Sequence, residues 1–383
     1  MKTGVEFFIE DKSFVLSKEA IGAHQFTVKS MPRPYPVALN EDLEPFQCAQ
    51  ILMSQNQHNL MLVDEKVFNL YKKDFQFDEK RVFQAPATEE FKTFTGVLAV
   101  LDFLNDHGFT KAEKLIVIGG GIIEDIGGFV GACYRRGIRW VYFPTTLLAM
   151  SDSCIGGKTG INYHQAKNQI ALFSAPAEVI INPSFLHTLA PADIQSGLGE
   201  ILKLMVIGGN TMIDVYQRYV KNGRVDNFSD YSKLLFSALA VKKAVIEEDE
   251  FEVRYRKALN YGHTLGHAIE SLSGYQIAHG QAVVIGMILA NELSARRNIL
   301  NEREKKQVNQ LCFDLLDERV MRIMRELDIT QLLSYLRRDK KTEGTALNFI
   351  LLTAVGKLQL MKLELDAVLQ DEIAVIMEGT FKN

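Results

Sequence analysis

The chain has 383 residues, 47% of them hydrophobic and 23% charged, with a formal net charge of −4 at pH 7. That length predicts two domains rather than one core, and the slight acidity excludes the basic footprint of a nucleic-acid binder, so any anionic ligand should be small. Four scattered cysteines (Cys48, Cys133, Cys154, Cys312) without a CxxC pair, no signal-like N-terminus and no membrane-length apolar run point to a reduced, cytoplasmic chain with buried thiols.

Residues 1–55 carry no clear pattern, and 31–36 (MPRPYP) cannot be helical because each proline pushes its predecessor to extended geometry. The apolar run 59–63, ending at Asp64, predicts a buried strand. From Glu89 to His107, Phe91, Phe94, Val97, Leu98, Leu101 and Leu104 recur at helical spacing. Leu115-Ile116-Val117-Ile118 is a further strand, stopped by Gly119-Gly120-Gly121, and 126–133 predicts a helix packed through its glycines and Ala132. Trp140-Val141-Tyr142-Phe143 is another strand, closed by Pro144. Strand, glycine loop, helix, strand is the grammar of an open parallel sheet. Beyond about residue 185 long helical patterns take over (193–207, 231–248, 264–272, 282–297, 302–316) before a β-like run over 346–353. The expected architecture is an N-terminal α/β domain over 1–185, with 1–55 as a divergent extension, and a mostly α-helical domain over 186–383.

Several constellations carry chemistry. The Gly119-Gly120-Gly121 turn before a helix suits a pyrophosphate, which glycines and a helix N-terminus both favour, although a plain tight turn explains it equally well. Asp125 would then meet a ribose or nicotinamide, or merely occupy the first turn. The run 151–160 (SDSCIGGKTG) lacks the four-residue spacer of a phosphate loop. Its Gly156-Gly157-Lys158-Thr159 still suits an oxyanion, with Lys167 and Asn168 adding a cation and an amide. Glu200 and Lys203 are i,i+3 neighbours; a surface ion pair is the bland alternative, but their apolar surroundings favour a buried pair wanting a metal or anion.

The densest cluster is residues 256–267 (RKALNYGHTLGH) followed by Ala278-His279-Gly280, which gathers three of only eight histidines. Imidazole is a common metal ligand, and Glu200 could add a carboxylate. Spacing leaves two arrangements open: His263 and His267 as an i,i+4 ligand pair, or His263 and His279 on the metal with His267 facing substrate. Arg256 suits bidentate carboxylate recognition. Lys242 and Asn260 gain interest only from their neighbours, and Lys340-Lys341 alone reads as a solvated turn.

Together these residues resemble the 3-dehydroquinate synthase family, within the sugar phosphate cyclases. The resemblance spans roughly 59–360 and rests on motifs in one order: GGG-x-x-x-D, RG with PTT, DS-x-x-GGKTG, KN, SGL-x-E-x-x-K, R-x-x-LN-x-GHT-x-GHA-x-E, HG-x-AV and DKK. It implies an NAD-binding α/β domain with a parallel, Rossmann-like sheet, a helical metal-binding domain, and a homodimer. It implies Glu200, His263 and His279 as ligands of zinc or cobalt, which selects the split arrangement. Lys158, Asn168, His267 and Lys340 or Lys341 would hold the substrate phosphate, with Arg136 reaching across the dimer. Lys242 and Arg256 would meet a carboxylate, and Asp152, Lys203 and Asn260 ring hydroxyls. Asp64, Glu89, Lys92, Gly120, Gly121, Asp125, Thr145 and Thr146 would line NAD, with Lys158 and Lys167 beside it.

The implied reaction converts 3-deoxy-D-arabino-heptulosonate 7-phosphate to 3-dehydroquinate and phosphate by transient oxidation, β-elimination, reduction and intramolecular aldol closure. This sequence departs from the family's usual pattern at Glu124, where a small residue is usual, Ala166 in place of glycine before Lys-Asn, Ala171-Leu172 for Gly-Ala, and Asn182 for an aspartate. These suggest a divergent paralogue and keep open a sister cyclase acting on sedoheptulose 7-phosphate or an amino analogue. An NAD- and metal-dependent alcohol dehydrogenase is a further alternative, since those iron-dependent enzymes share the architecture.

Overall fold

The computed structural model describes residues 4–74, 77–164, 166–339 and 346–382. The chain divides into two compact units, Ala23–Ala190 and Met1–Gly22 with Pro191–Asn383. The division thus lies at Ala190 rather than 185, and residues 1–22, read by sequence as part of the N-terminal domain, join the second unit. The reason is a period-2 apolar face: Val5, Phe7 and Ile9, then Phe14 and Leu16, are buried. Such a face needs a sheet partner, and strand Gly4–Ile9 finds one by running parallel to Lys357–Glu364.

In the first unit a seven-stranded sheet has the order Gln25–Val28, Tyr35–Leu39, Glu178–Ile181, Arg139–Pro144, Lys114–Gly119, Leu60–Asp64, Val82–Ala85. The first strand is antiparallel to its neighbour and the other pairings are parallel. Leu115, Ile116, Val117 and Ile118 are all fully buried, the reason a strand covered on both faces has no polar alternation. Helix Gly121–Cys133 lies against the strands through glycines. A Cβ on Gly127 would come within 2.7 Å of Val117, and one on Gly131 within 2.6 Å of Trp140. Strands Lys158–Tyr163 and Ala166–Phe173 form a separate antiparallel ribbon.

Two helices begin elsewhere than their periodicity suggests. The helix expected from Glu89 starts at Phe94, because 88–93 fold as turns in which Thr88 O accepts from the N–H groups of Phe91 and Lys92. The helix expected from 126 starts at Gly121 and so includes Asp125. The second unit is built around helix His279–Arg296, buried along most of its length, with helices Pro191–Ile207, His263–Leu272 and Glu302–Phe313 about it and Asp230–Glu248 packed on Pro191–Ile207. A four-stranded sheet completes it, in the order Ala346–Ala354, Lys357–Glu364, Gly4–Ile9, Lys12–Ser17. Among the described residues no helix is long and apolar enough to cross a membrane. Cys154 and Cys312 are buried thiols, whereas Cys133 is exposed.

Candidate functional site

In the helical unit, Glu200, His263, His267 and His279 each follow or precede a glycine at a helix crossing. Helix Pro191–Ile207 meets helix His279–Arg296 at Gly199 and Gly280, where a Cβ on either would overlap opposing backbone. Helix His263–Leu272 meets the same helix at Gly262 and Gly266, where added Cβ atoms would stand 2.5 Å from the Val283 oxygen and 2.8 Å from the Ala282 oxygen. Gly262 also takes φ +83, a left-handed conformation that glycine adopts without strain. Backbone contact at these crossings carries the adjacent side chains to one point.

There the ligand atoms of His263, His267 and His279 lie within 4.8 Å of one another. Glu200 Oε1 stands 3.3 Å from His279 Nε2 and 3.7 Å from His263 Nε2. Glu200 is fully buried, with Lys203 Nζ 2.5 Å from its other oxygen, and neither carboxylate oxygen accepts a hydrogen bond of ordinary geometry. A sealed carboxylate left so, facing two imidazoles, fits a divalent cation of the zinc or cobalt type. The second nitrogen of each imidazole is held: His279 Nδ1 by Glu270 Oε2 at 3.0 Å, and His263 Nδ1 by the Tyr261 carbonyl at 3.2 Å. Such partners orient a ligating ring.

The electrostatics follow from this enclosure. Burial acts against charge on Glu200, but Lys203 and His279 overcome it and hold the carboxyl well below the usual range. Burial, with Lys203 nearby, pushes His263 well below its ordinary value, toward the neutral form that binds metal. Burial also opposes charge on His279, yet the facing Glu200 carboxylate and the hydrogen bond to Glu270 raise it to about 10. His267 is exposed.

Nearby in sequence, Lys242 and Arg256 are buried, Arg256 to 2% exposure. The Arg256 guanidinium donates to the Glu250 carbonyl, and Asn260 donates to Glu252 Oε1 at 2.6 Å. Lys340 and Lys341 lie outside the described residues.

In the other unit, the candidate cofactor residues gather at the C-terminal ends of three adjacent parallel strands. Asp64 ends Leu60–Asp64, Gly119 ends Lys114–Gly119, and Thr145-Thr146 follow Arg139–Pro144. The chain reverses its order across the sheet between the first two, the crevice where open α/β sheets bind ligands. Gly120 precedes the helix with no side-chain cap. A Cβ on Gly120 would come 2.9 Å from Thr146 Cγ2, while one on Gly121 would meet nothing nearer than Ser153 Oγ at 4.0 Å. The corner is therefore tight on one side and open on the other, a fit for a dinucleotide's phosphates. Asp64 caps helix Glu65–Tyr71 through the Lys66 N–H at 2.8 Å. Glu124 is buried and accepts from Ser153 Oγ at 2.5 Å, so its charge is engaged within the fold.

Glu89, Lys92, Asp125, Lys167 and Asn168 form one network. Buried Lys92 reaches Asp125 at 3.1 Å and Asn168 Oδ1 at 2.9 Å, and Lys167 pairs with Glu89 at 2.9 Å. Burial raises the Asp125 carboxyl against the opposing charge of Lys92. Asp152 lies in the turn Ala149–Ser153, and Lys158 is exposed at the start of the ribbon. Arg136 is not brought to the glycine corner: it follows the far end of the 13-residue helix Gly121–Cys133, about 20 Å along its axis. There it lines a cleft of about 520 Å³ with Arg33, Lys111 and Arg139.

Three residues without an assigned role from sequence become visible. Asn162 donates to Glu89 Oε2 at 2.8 Å and accepts from the Asn168 N–H at 3.0 Å, knitting the network together. Glu270 holds His279; it stands in the quoted histidine motif, one turn beyond His267, which was its available signal. Asp249 accepts the Arg256 N–H at 2.9 Å, a contact with no local pattern to announce it.

Comparison with known proteins identifies the lineage. The 3-dehydroquinate synthase N-terminal family matches residues 82–196, and its C-terminal counterpart matches 197–342. A 3-dehydroquinate synthase of Rippkaea orientalis is 35% identical over 324 residues, covering 83% of this chain and 87% of that one. Among solved structures, a 2-deoxy-scyllo-inosose synthase complexed with carbaglucose-6-phosphate, NAD+ and Co2+ has a TM-score of 0.79 at 23% identity, covering 92% of this chain and 99% of that one. A 2-epi-5-epi-valiolone synthase from Streptomyces hygroscopicus subsp. jinggangensis, with NAD+ and Zn2+ bound, has a TM-score of 0.72 at 23% identity, with coverages of 90% and 96%. The two structures share the fold, and the sequence matches go further: this chain belongs to the 3-dehydroquinate synthase family.

Proposed function

We propose that the chain is an NAD- and divalent-metal-dependent cyclase that converts 3-deoxy-D-arabino-heptulosonate 7-phosphate to 3-dehydroquinate and phosphate. The observation that carries this reading is the sealed Glu200 carboxylate facing His263 and His279, in a chain 35% identical to a 3-dehydroquinate synthase. Bound at the two sites, NAD would supply a hydride acceptor and donor, and zinc or cobalt a Lewis acid for the reacting oxygens.

The chain's own residues do the rest. Glu200, His263 and His279 hold the ion, and Lys203 balances the buried carboxylate. Gly120, Gly121, Thr145 and Thr146 accept the cofactor's phosphates, with Asp64 and the Glu89, Lys92, Asp125 and Lys167 network shaping its surroundings. Lys242 and Arg256 bind the substrate carboxylate, a buried guanidinium being the stronger anchor because it loses little hydration on pairing. Asp152 and Asn260 orient ring hydroxyls. Lys158, Asn168 and His267 hold the phosphate, and Arg136, far from its own glycine corner, serves the partner subunit of a homodimer. We place the enzyme in the cytoplasm.

Purified protein supplied with the heptulosonate phosphate and, separately, with sedoheptulose 7-phosphate tests the substrate. Phosphate release and cyclisation from the carboxylate-bearing compound are expected, without net accumulation of NADH. Turnover of the sugar phosphate alone would make the chain a sister cyclase, and accumulating NADH would make it a dehydrogenase. Arg256→Ala should weaken the carboxylate substrate by about 10- to 100-fold, the loss of a charged hydrogen-bonded pair.

A further inference from the structure

The N-terminal hairpin, to which the proposed function gives no role, is built onto the segment that carries Arg256. Strand Gly4–Ile9 pairs with Lys357–Glu364, and Phe8 N donates to the Gly356 carbonyl at 2.7 Å. Strand Lys12–Ser17 presents Phe14, stacked on Phe7 with ring centroids 5.1 Å apart and set edge-on to Tyr255 at 6.1 Å. Tyr255 immediately precedes Arg256. The hairpin's turn makes two ion pairs with the same region, Lys12 to Glu248 at 2.7 Å and Asp11 to Arg254 at 3.1 Å.

Between Glu248 and Tyr255 the chain has no helix or strand of its own. Its order comes instead from Asp249, whose carboxylate accepts the N–H groups of Val253 at 2.9 Å, Arg254 at 2.8 Å and Arg256 at 2.9 Å. Arg256 lies in the first turn of the short 3-10 helix Tyr255–Asn260, which the irregular segment leads into, so the guanidinium keeps its position only if that segment does. The ion pairs are exposed and contribute little. Phe14, 5% exposed, is the firmer contact, since a buried aromatic pair combines apolar burial with a preferred edge-to-face geometry.

We propose that the N-terminal hairpin is a positioning element for Arg256, with Phe14 acting through Tyr255 and Asp249 through the backbone of 253–256. The proposal rests on the reading of Arg256 as the group that meets the substrate carboxylate. It gives the first 22 residues a part in substrate choice rather than in stability alone.

The test uses full-length protein loaded with metal and NAD, carrying Phe14→Leu or Asp249→Asn, and reads hydrogen exchange and steady-state kinetics together. Leucine keeps most of the apolar volume and removes the aromatic edge. Amides of 253–256 should exchange about tenfold faster while helices Pro191–Ile207 and His263–Leu272 keep their protection. KM for the carboxylate-bearing phosphate should rise about tenfold with kcat changed less than about threefold, and Phe14→Tyr should restore both readouts. Unchanged exchange at 253–256, faster exchange throughout the unit, or a loss of kcat at constant KM would each overturn the proposal. Should Phe14→Leu not fold, Tyr255→Leu removes the same aromatic contact from the other side and gives the same readings, while Asp249→Asn tests the backbone anchor alone. If the wild type turns over no carboxylate-bearing phosphate, the functional reading fails, while the exchange data still decide whether the hairpin holds the segment.

Discussion

Replacing Glu270 should weaken the metal centre without touching a proposed ligand. Its Oε2 lies 3.0 Å from His279 Nδ1, and the opposite nitrogen of that ring faces Glu200 at 3.3 Å. A hydrogen bond to a charged group contributes about 1.5–3 kcal/mol, against about 0.5–1.5 kcal/mol for a neutral one. Glutamine keeps an acceptor, so Glu270→Gln should lose about 1–1.5 kcal/mol, roughly tenfold in metal affinity. Glu270→Ala removes the acceptor and should approach a loss of about a hundredfold, the upper range for carboxylates behind a ligating histidine. Metal-free protein titrated with zinc or cobalt against a competing chelator measures the constant, and circular dichroism checks the fold. Affinities within about twofold of wild type for both variants would refute the idea that Glu270 orients His279.

His263→Ala should lose bound metal and activity together, and full activity with undiminished metal content would overturn its assignment as a ligand. Gly120→Ala would set a Cβ 2.9 Å from Thr146 Cγ2, so NAD affinity should fall by about tenfold as the corner shifts. Calorimetric titration showing unaltered NAD binding would remove that corner from the cofactor site. Glu89→Gln should give a pH-dependent loss of stability. Burial tends to raise the Glu89 carboxyl, but hydrogen bonds from Asn162 and Lys167 and the charge of Lys92 lower it below its ordinary 4.5. A carboxylate depressed in the folded state contributes stability above its unfolded value and loses that contribution as pH falls through the folded value. The difference in unfolding midpoint between wild type and variant should therefore be full at pH 7, begin to shrink as pH falls below about 4.5 and vanish only below the depressed folded value. A difference that grows in acid would contradict the network.

Much of this protein is local, and local features are legible in the chain. The run Leu115-Ile116-Val117-Ile118 and the glycines after it announce a buried parallel strand and its corner. The long apolar helices are equally plain, because periodicity needs no partner to be read. The histidines and Glu200 are legible as a cluster of ligand-type side chains, whereas the close backbone approaches at the adjoining Gly199, Gly262, Gly266 and Gly280 come from the packing of the helices. What spacing leaves open is which imidazoles face the carboxylate. The contact of Glu200 Oε1 with His279 and His263 bridges separate helices, and sequence separation says nothing of such a distance.

The first 22 residues mark the other limit. Their two strands carry too short an alternation to be read from the chain, and a strand's apolar face does not name the sheet that will bury it. Proximity in the chain suggests the neighbouring α/β unit, whereas the edge of Lys357–Glu364 takes them. Glu270, Asn162 and Asp249 escape for the same reason, since their partners are chosen by packing. The amino-acid sequence by itself determined the main strands and helices beyond residue 55, the cluster of ligand-type side chains and the family resemblance. The tertiary structure alone decided which side chains meet across helices and which sheet receives the N-terminus, because those choices depend on burial shared between segments distant in the chain.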